Sequence, residues 1–178
     1  MKRMKLCLIP ALCGVLFLGM LSCHSDAEDT VTKYYEWNDD NVAYFKAAMN
    51  YRDDNGNLFY EVVKPDWDTT SCILMHYFER GEGTESPYYT SFVKVCYKGM
   101  LIDDKVFDSA HASPSNPLTA KLSTLIDGWA VALERMHTGD SCRIVVPQNL
   151  GYGSGSSGRV KPYSTLIFDI KLLEITRQ

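Results

Sequence analysis

Leu125-Ile126-Asp127-Gly128-Trp129 is the stretch from which the rest of this chain is best read. Two branched aliphatics lead through a Gly to a Trp, where an apolar loop turns into a helix. Trp129, Leu133 and Met136 recur at i, i+4 and i+7, and Gly139 stands where a left-handed residue would close the last turn. Asp127 is expected to cap this helix, because a carboxylate there accepts one of the orphan N–H groups of the first turn. At least one backbone N–H near Ile126 is left over for a group outside the helix. An indole beside an unspent donor suits an apolar ligand that carries one carbonyl.

Outward from this hinge the pattern changes to that of strands. On the C-terminal side, Ser141-Cys-Arg-Ile-Val-Val146 reads as a strand, and Thr165–Ile175 as a long final one with Leu166, Phe168, Ile170 and Leu172 on one side. The Gly-rich stretch Gly151–Gly158 between them reads as a loop. On the N-terminal side, Phe92–Tyr97 alternates with Val93, Val95 and Tyr97 on one face, and Ser71–Phe78 and Leu58–Val63 are further strand candidates. The Ser-, Asn- and Pro-rich stretch 110–117 is a loop. Five or six strands around one short central helix make an α+β domain with an antiparallel sheet. Before it, Asp39–Tyr51 carries a helical stripe of Val42, Phe45 and Met49. That stripe suits packing on the chain's own domain, with pairing to a second copy as the alternative.

The first residues read as an address. Met1-Lys-Arg-Met-Lys5 is basic, Leu6–Leu21 is almost wholly apolar, and the run is too short and wrongly flanked for a membrane span. It ends in Met20-Leu21-Ser22-Cys23, which resembles a bacterial lipobox with Cys23 as the acylated first residue of the mature chain. Residues 1–22 are therefore expected to be a lipoprotein signal peptide. Residues 23–56 are read as an acidic tether with a short helix at about 39–51, and 57–178 as the folded domain. Ser25-Asp26-Ala27-Glu28-Asp29 resembles the acidic surface-export tag of Bacteroidetes lipoproteins. The expected location is the cell envelope, lipid-anchored at the outer membrane, periplasmic or surface-exposed.

Charge and cysteines exclude several classes. The net charge is −4, and removal of the three cations Lys2, Arg3 and Lys5 would take it to −7, so nucleic acid is not an expected partner. Once the signal and Cys23 are set aside, Cys72, Cys96 and Cys142 remain of six cysteines. An odd trio without C-x-x-C spacing fits neither a disulfide framework nor a zinc site, and buried free thiols are expected, with one oxidised pair as the alternative. His24, His76, His111 and His137 share no metal-ligand spacing, so no metal or cofactor is expected. Gly153-Ser-Gly-Ser-Ser-Gly158 satisfies G-x-G-x-x-G, but a strand follows where a dinucleotide site needs a helix. Asp108, Ser109 and His111 crowd one short loop and cannot align as a hydrolase triad. Asp103-Asp104 reads as a turn rather than a carboxylate pair.

What remains is aromatic and apolar, and it carries a resemblance. Val95-Cys-Tyr-Lys-Gly-Met-Leu101, Val106-Phe-Asp-Ser109, Leu125-Ile-Asp-Gly-Trp129, Leu150-Gly-Tyr-Gly153 and Pro162-Tyr-Ser-Thr-Leu-Ile-Phe-Asp169 occur in the order and spacing of the FKBP-type peptidyl-prolyl isomerases. From Ser71 to Ile175, roughly three-fifths of the chain, the sequence resembles that family. The resemblance implies an FKBP-like sheet wrapped around one short helix, here with an N-terminal helical extension. Its proline pocket falls on Tyr97, Phe107, Asp108, Leu125, Ile126, Trp129, Tyr152 and Phe168. Trp129 would be the floor under a prolyl ring, Ile126 N–H would hold a carbonyl, and Tyr152 would offer its hydroxyl.

The implied activity is isomerisation of X–Pro bonds in exported polypeptides. A binding or chaperone module of the same fold, with little turnover, is the alternative. Proline-containing clients, a membrane met through the lipid anchor and a macrolide immunosuppressant are the implied partners. The chain departs from the family pattern at Cys96, at Leu118 and Ala120 where an aromatic pair is common, and at Arg159 and Val160 where two flap aliphatics are usual.

Overall fold

The two longest apolar alternations become the centre of the sheet. In a computed structural model the chain is described over residues 26–176, with side chains from residue 32 onward, so the segment expected to be a signal peptide and Cys23 lie outside the described residues. The strands are β1 (Glu61–Val63), β2 (Ile73–Glu79), β3 (Phe92–Met100), β4 (Val106–Asp108), β5 (Leu118–Lys121), β6 (Ser141–Val146) and β7 (Leu166–Thr176). All pair antiparallel in the order β1-β2-β6-β7-β3-β4, and β5 pairs with the start of β3. Among the described residues the tally is seven strands, not five or six. Leu118-Thr-Ala-Lys121 is too short to alternate visibly, and β3 supplies its partners from Phe92 to Val95.

Period-two alternation gives the sheet two apolar faces. Val93, Val95, Ile144, Val146, Leu166, Phe168, Ile170 and Leu172 share one buried cluster with α2 (Asp127–Leu133). Their neighbours Val145 and Ile167 point the other way and, with Leu74, Met100 and Tyr60, meet Tyr44, Phe45, Ala48 and Met49 of α1 (Asp26–Met49). Helix α2 is short and almost wholly inside: six of its seven residues are buried. Gly128 sets how closely it lies, for a Cβ there would fall 2.4 Å from Val146 Cγ1. No larger residue leaves α2 in that seat.

Three local expectations are corrected. Asp127 does not cap α2; Ile126 is the N-cap residue, no side chain caps it, and Asp127 is the first helical residue, where its charge still suits the helix dipole. The helix ends at Leu133, six residues before Gly139, which has a φ of +97° in the turn leading to β6. The sequence stripe survives because Leu133 and Met136 are both fully buried although only one is helical. Cys142 and Cys96 are buried free thiols as expected, but Cys72 is half-buried.

The N-terminal helix is much longer than the stripe at 39–51. It begins at Asp26, so the stretch read as an acidic tether is helical from there on. What holds it is distant in sequence. Asn41, 1% exposed, accepts from Thr165 N–H at 2.6 Å, and its carbonyl accepts from Thr165 Oγ1 at 3.1 Å. Trp37 Nε1 donates to Ser164 Oγ at 3.1 Å, and Lys161 Nζ lies 4.7 Å from the Trp37 ring. Helix α1 therefore packs on the chain's own sheet.

Candidate functional site

At the N-terminal end of α2 the helix is too short to cover the sheet, and a hollow of about 170 Å³ is left. Tyr97 comes to it from β3, Phe107 and Asp108 from β4, Leu125 and Ile126 from the start of α2, Trp129 from its first turn, Tyr152 from the β6–β7 loop and Phe168 from β7. All eight residues read from the sequence as a pocket thus line one cavity. Leu118 and Thr124 line it too. Leu118 stands at one of the two positions where the family commonly has an aromatic pair. No signal pointed to Thr124, whose hydroxyl donates to Lys121 O at 2.7 Å and closes the turn before the helix. Ala120, Arg159, Val160 and Cys96 do not line it; Val160 is core and Arg159 is exposed, so the two flap positions place no side chain at the hollow.

The floor is a set of perpendicular rings. Trp129 meets Tyr97 at 4.9 Å and 86° and Phe168 at 5.3 Å and 89°, while Phe107 meets Phe168 at 5.6 Å and 84°. Edge-to-face packing places positive ring edges on negative faces and fixes each ring. Trp129 and Phe168 are only 4% and 3% exposed, so the floor is dry and rigid. Gly99 permits the Phe107 seat: a Cβ on β3 there would lie 2.6 Å from the Phe107 ring.

Polar groups are few and mostly fixed. Tyr97 Oη donates to Asp108 Oδ2, and Asp108 Oδ1 accepts from Ala110 N–H at 3.1 Å. Burial, then the donated bond and the charge of Asp108, push the Tyr97 phenol far above its usual value, so it stays protonated. Tyr97 N–H donates to His111 O at 3.0 Å, which ties the 109–117 loop to the pocket wall. Three donors are unspent. Ile126 N–H meets no acceptor among the described residues, because the N-cap carbonyl rather than its amide joins the helix ladder. The Trp129 indole N–H is buried without a partner among the described residues. The Tyr152 hydroxyl, on a residue 40% exposed, has none among the described residues either.

This arrangement offers a ring-sized apolar slot, one backbone donor at its mouth and a phenol at its rim. It holds no nucleophile with a base beside it. Among the described residues no three His, Cys, Asp or Glu side chains are grouped to hold a metal ion, and no helix is long and apolar enough to cross a membrane.

Residues 83–173 match the FKBP-type peptidyl-prolyl cis-trans isomerase domain. The chain belongs to the FKBP family. It is 34% identical to the macrophage infectivity potentiator of Trypanosoma cruzi, over 98% of this chain and 83% of that protein. To the FKBP-type isomerase FkpA of Escherichia coli K12 it is 35% identical over 60% of this chain, but it spans only 39% of that relative. Among solved structures, a peptidyl-prolyl cis-trans isomerase from Pseudomonas syringae matches with a TM-score of 0.60 at 28% identity, over 77% of this chain and 96% of that one. The FKBP fold is thus reached from sequence motifs, from the sheet wrapped on α2 and from solved relatives alike.

Proposed function

We propose that this FKBP-family chain is a peptidyl-prolyl cis–trans isomerase that works on exported polypeptides in the cell envelope, held there by a lipid on Cys23. The observation that carries the catalytic part is the open hollow floored by Trp129 beside the free Ile126 N–H. Rotation about a peptide bond is opposed by resonance, with a barrier of about 18–20 kcal/mol. X–Pro bonds populate both isomers but exchange them in roughly tens to hundreds of seconds. In the twisted state the nitrogen has lost conjugation and the carbonyl is less charge-separated than in the planar form. A dry aromatic slot therefore disfavours the planar state more than the twisted one, which is differential binding without covalent chemistry.

In this reading the prolyl ring lies over Trp129, and Ile126 N–H donates to a client carbonyl. Tyr97, pinned by Asp108, keeps the wall in place and remains neutral. Tyr152 donates to the peptide from the loop. The same slot admits a macrolide with a proline-like ring. Each tenfold acceleration requires only about 1.4 kcal/mol, within reach of one well-placed ring and one hydrogen bond.

A coupled isomerisation assay on the mature chain from Cys23 onward tests the activity. Replacement of Trp129 by Ala is expected to lower kcat/KM by about a hundredfold, roughly 2.7 kcal/mol. Equal rates for the two proteins would remove the isomerase reading; pocket-dependent peptide binding without acceleration would leave a binding module. The anchor is tested separately: intact-mass analysis of envelope-purified protein should find a diacylglyceryl group on Cys23, and Cys23→Ala should move the chain to the soluble fraction. An unmodified Cys23 would overturn that part alone.

A further inference from the structure

A second hollow opens on the other side of the α2 start. Asp127 and Glu134 are seven residues apart and share a face, whereas Trp129 lies about 200° around the helix from Asp127. Asp66 and Trp67, from the segment between β1 and β2, and Tyr89, from that between β2 and β3, complete a cavity of about 410 Å³. Trp67 and Tyr89 are 57% and 47% exposed, large rings left in water next to one another's cavity. The carboxylates of Asp66, Asp127 and Glu134 line the same space, and none of its five lining residues is a cation. Arg135 reaches Asp66 at 3.4 Å, but with Lys64 it lines the adjoining hollow instead. Burial and the Asp66 charge push the Glu134 carboxyl up, against the Tyr89 amide and Arg135, so negative groups are crowded here.

We propose that this aromatic and acidic hollow is a specificity subsite that takes a lysine or arginine side chain of the client polypeptide, within a few residues of the proline held over Trp129. The inference rests on the isomerase reading above. An ammonium or guanidinium group is attracted by the face of a Trp or Tyr ring and forms charge-assisted bonds with carboxylates, and this cavity presents both. It also adjoins the first site along the chain: Ile126 lines one hollow and Asp127, the next residue, lines the other. An extended peptide advances about 3.3 Å per residue, so a residue close to the proline falls within range of the second cavity. Asp66 and Trp67 lie outside the matched stretch 83–173.

The test uses the full chain in detergent micelles and a series of X–Pro peptides. Lysine, glutamate or norleucine is placed in turn at each of the three positions before and after the proline. At low salt one position should give the lysine peptide about a tenfold higher kcat/KM than its norleucine counterpart, with glutamate lowest and the spread shrinking in high salt. Trp67→Ala, and separately Asp66→Asn combined with Glu134→Gln, should bring the lysine peptide down to the norleucine value while the norleucine peptide is unchanged. Norleucine peptides turned over with no lysine preference at any position would overturn the subsite and leave the isomerase reading standing. So would a preference that survives in both variants. If no peptide is isomerised, the isomerase reading fails, and fluorescence-anisotropy affinities of the same peptides judge the subsite directly. Tighter binding of lysine peptides that is lost in Trp67→Ala would support it, and equal affinities would end it.

Discussion

Two helices lean on opposite faces of one sheet and are held by different physics. Helix α2 is seven residues long and buried on nearly every side; what holds it is apolar contact with Val146, Phe168 and their neighbours. Helix α1 is 24 residues long, presents Phe45, Ala48 and Met49 to the sheet, and is pinned by the side chains of Asn41 and Trp37. The short helix leaves part of its face uncovered, and that shortfall is the proline-sized hollow. The long helix closes its face and fixes its position by hydrogen bonds. The candidate site thus sits where coverage is incomplete, and attachment where it is complete.

This contrast can be broken most severely on the α2 side. Leu133 is fully buried, and Leu133→Ala should destabilise the fold by about 2–5 kcal/mol, since a cavity is left as well as transfer energy lost. A urea titration followed by far-UV circular dichroism measures it. On the α1 side, Asn41→Ala should cost about 1–3 kcal/mol by leaving Thr165 N–H buried without an acceptor. The same titration should then show it, with kcat/KM on a short proline peptide unchanged; a drop in activity as large as in stability would mean that the two faces are coupled.

Alkaline pH sharpens the comparison further. Burial, and for Tyr97 the bond to Asp108, raises the Tyr97 phenol strongly and Tyr77 to about 12 on the α2 side. Tyr44 and Tyr60 on the α1 side are raised by burial without so large a shift. A phenol raised in the folded state contributes stability that is complete below its unfolded value, about 10, and lost as pH climbs through the folded value. Unfolding free energy measured between pH 9 and 12 should therefore fall with rising pH, and Tyr97→Phe or Tyr77→Phe should flatten that slope more than Tyr44→Phe. Smallest of all, Lys94→Ala removes a half-exposed pair with Glu174 at 2.5 Å and should change stability by less than about 1 kcal/mol, measured in the same urea titration at low and high salt.

How much of this was legible beforehand follows the same division. The hollow could be read because each of its walls is carried by a local motif: Phe107 and Asp108 together, Leu125 through Trp129 together, Tyr152 within Leu-Gly-Tyr-Gly. The alternation of β3 and β7 likewise announces itself, because both faces are fixed by period-two chemistry. Thr124 carries no such signature, and β5 owes its existence to partners in β3. Asp127 invited a capping role by residue type, yet the chain enters the helix one residue earlier, at Ile126. Arg159 and Val160 were aligned with flap positions by spacing alone, which fixes place in the chain but not direction. Above all, the first half of α1 read as a tether because its anchors, Ser164 and Thr165, lie 127 and 124 residues away from the side chains they hold. No window of local sequence contains both ends of such a bond.

That separation also bears on the order in which the molecule is made. Synthesis proceeds from the N-terminus, so α1 emerges early, while the threonine that donates to Asn41 arrives 124 residues later. Until then the greasy side of the helix has no sheet beneath it, and long-range closure of this kind is slow. Among the described elements the earliest made is seated late, and a nascent chain must be kept from sticking to its neighbours until β7 is delivered.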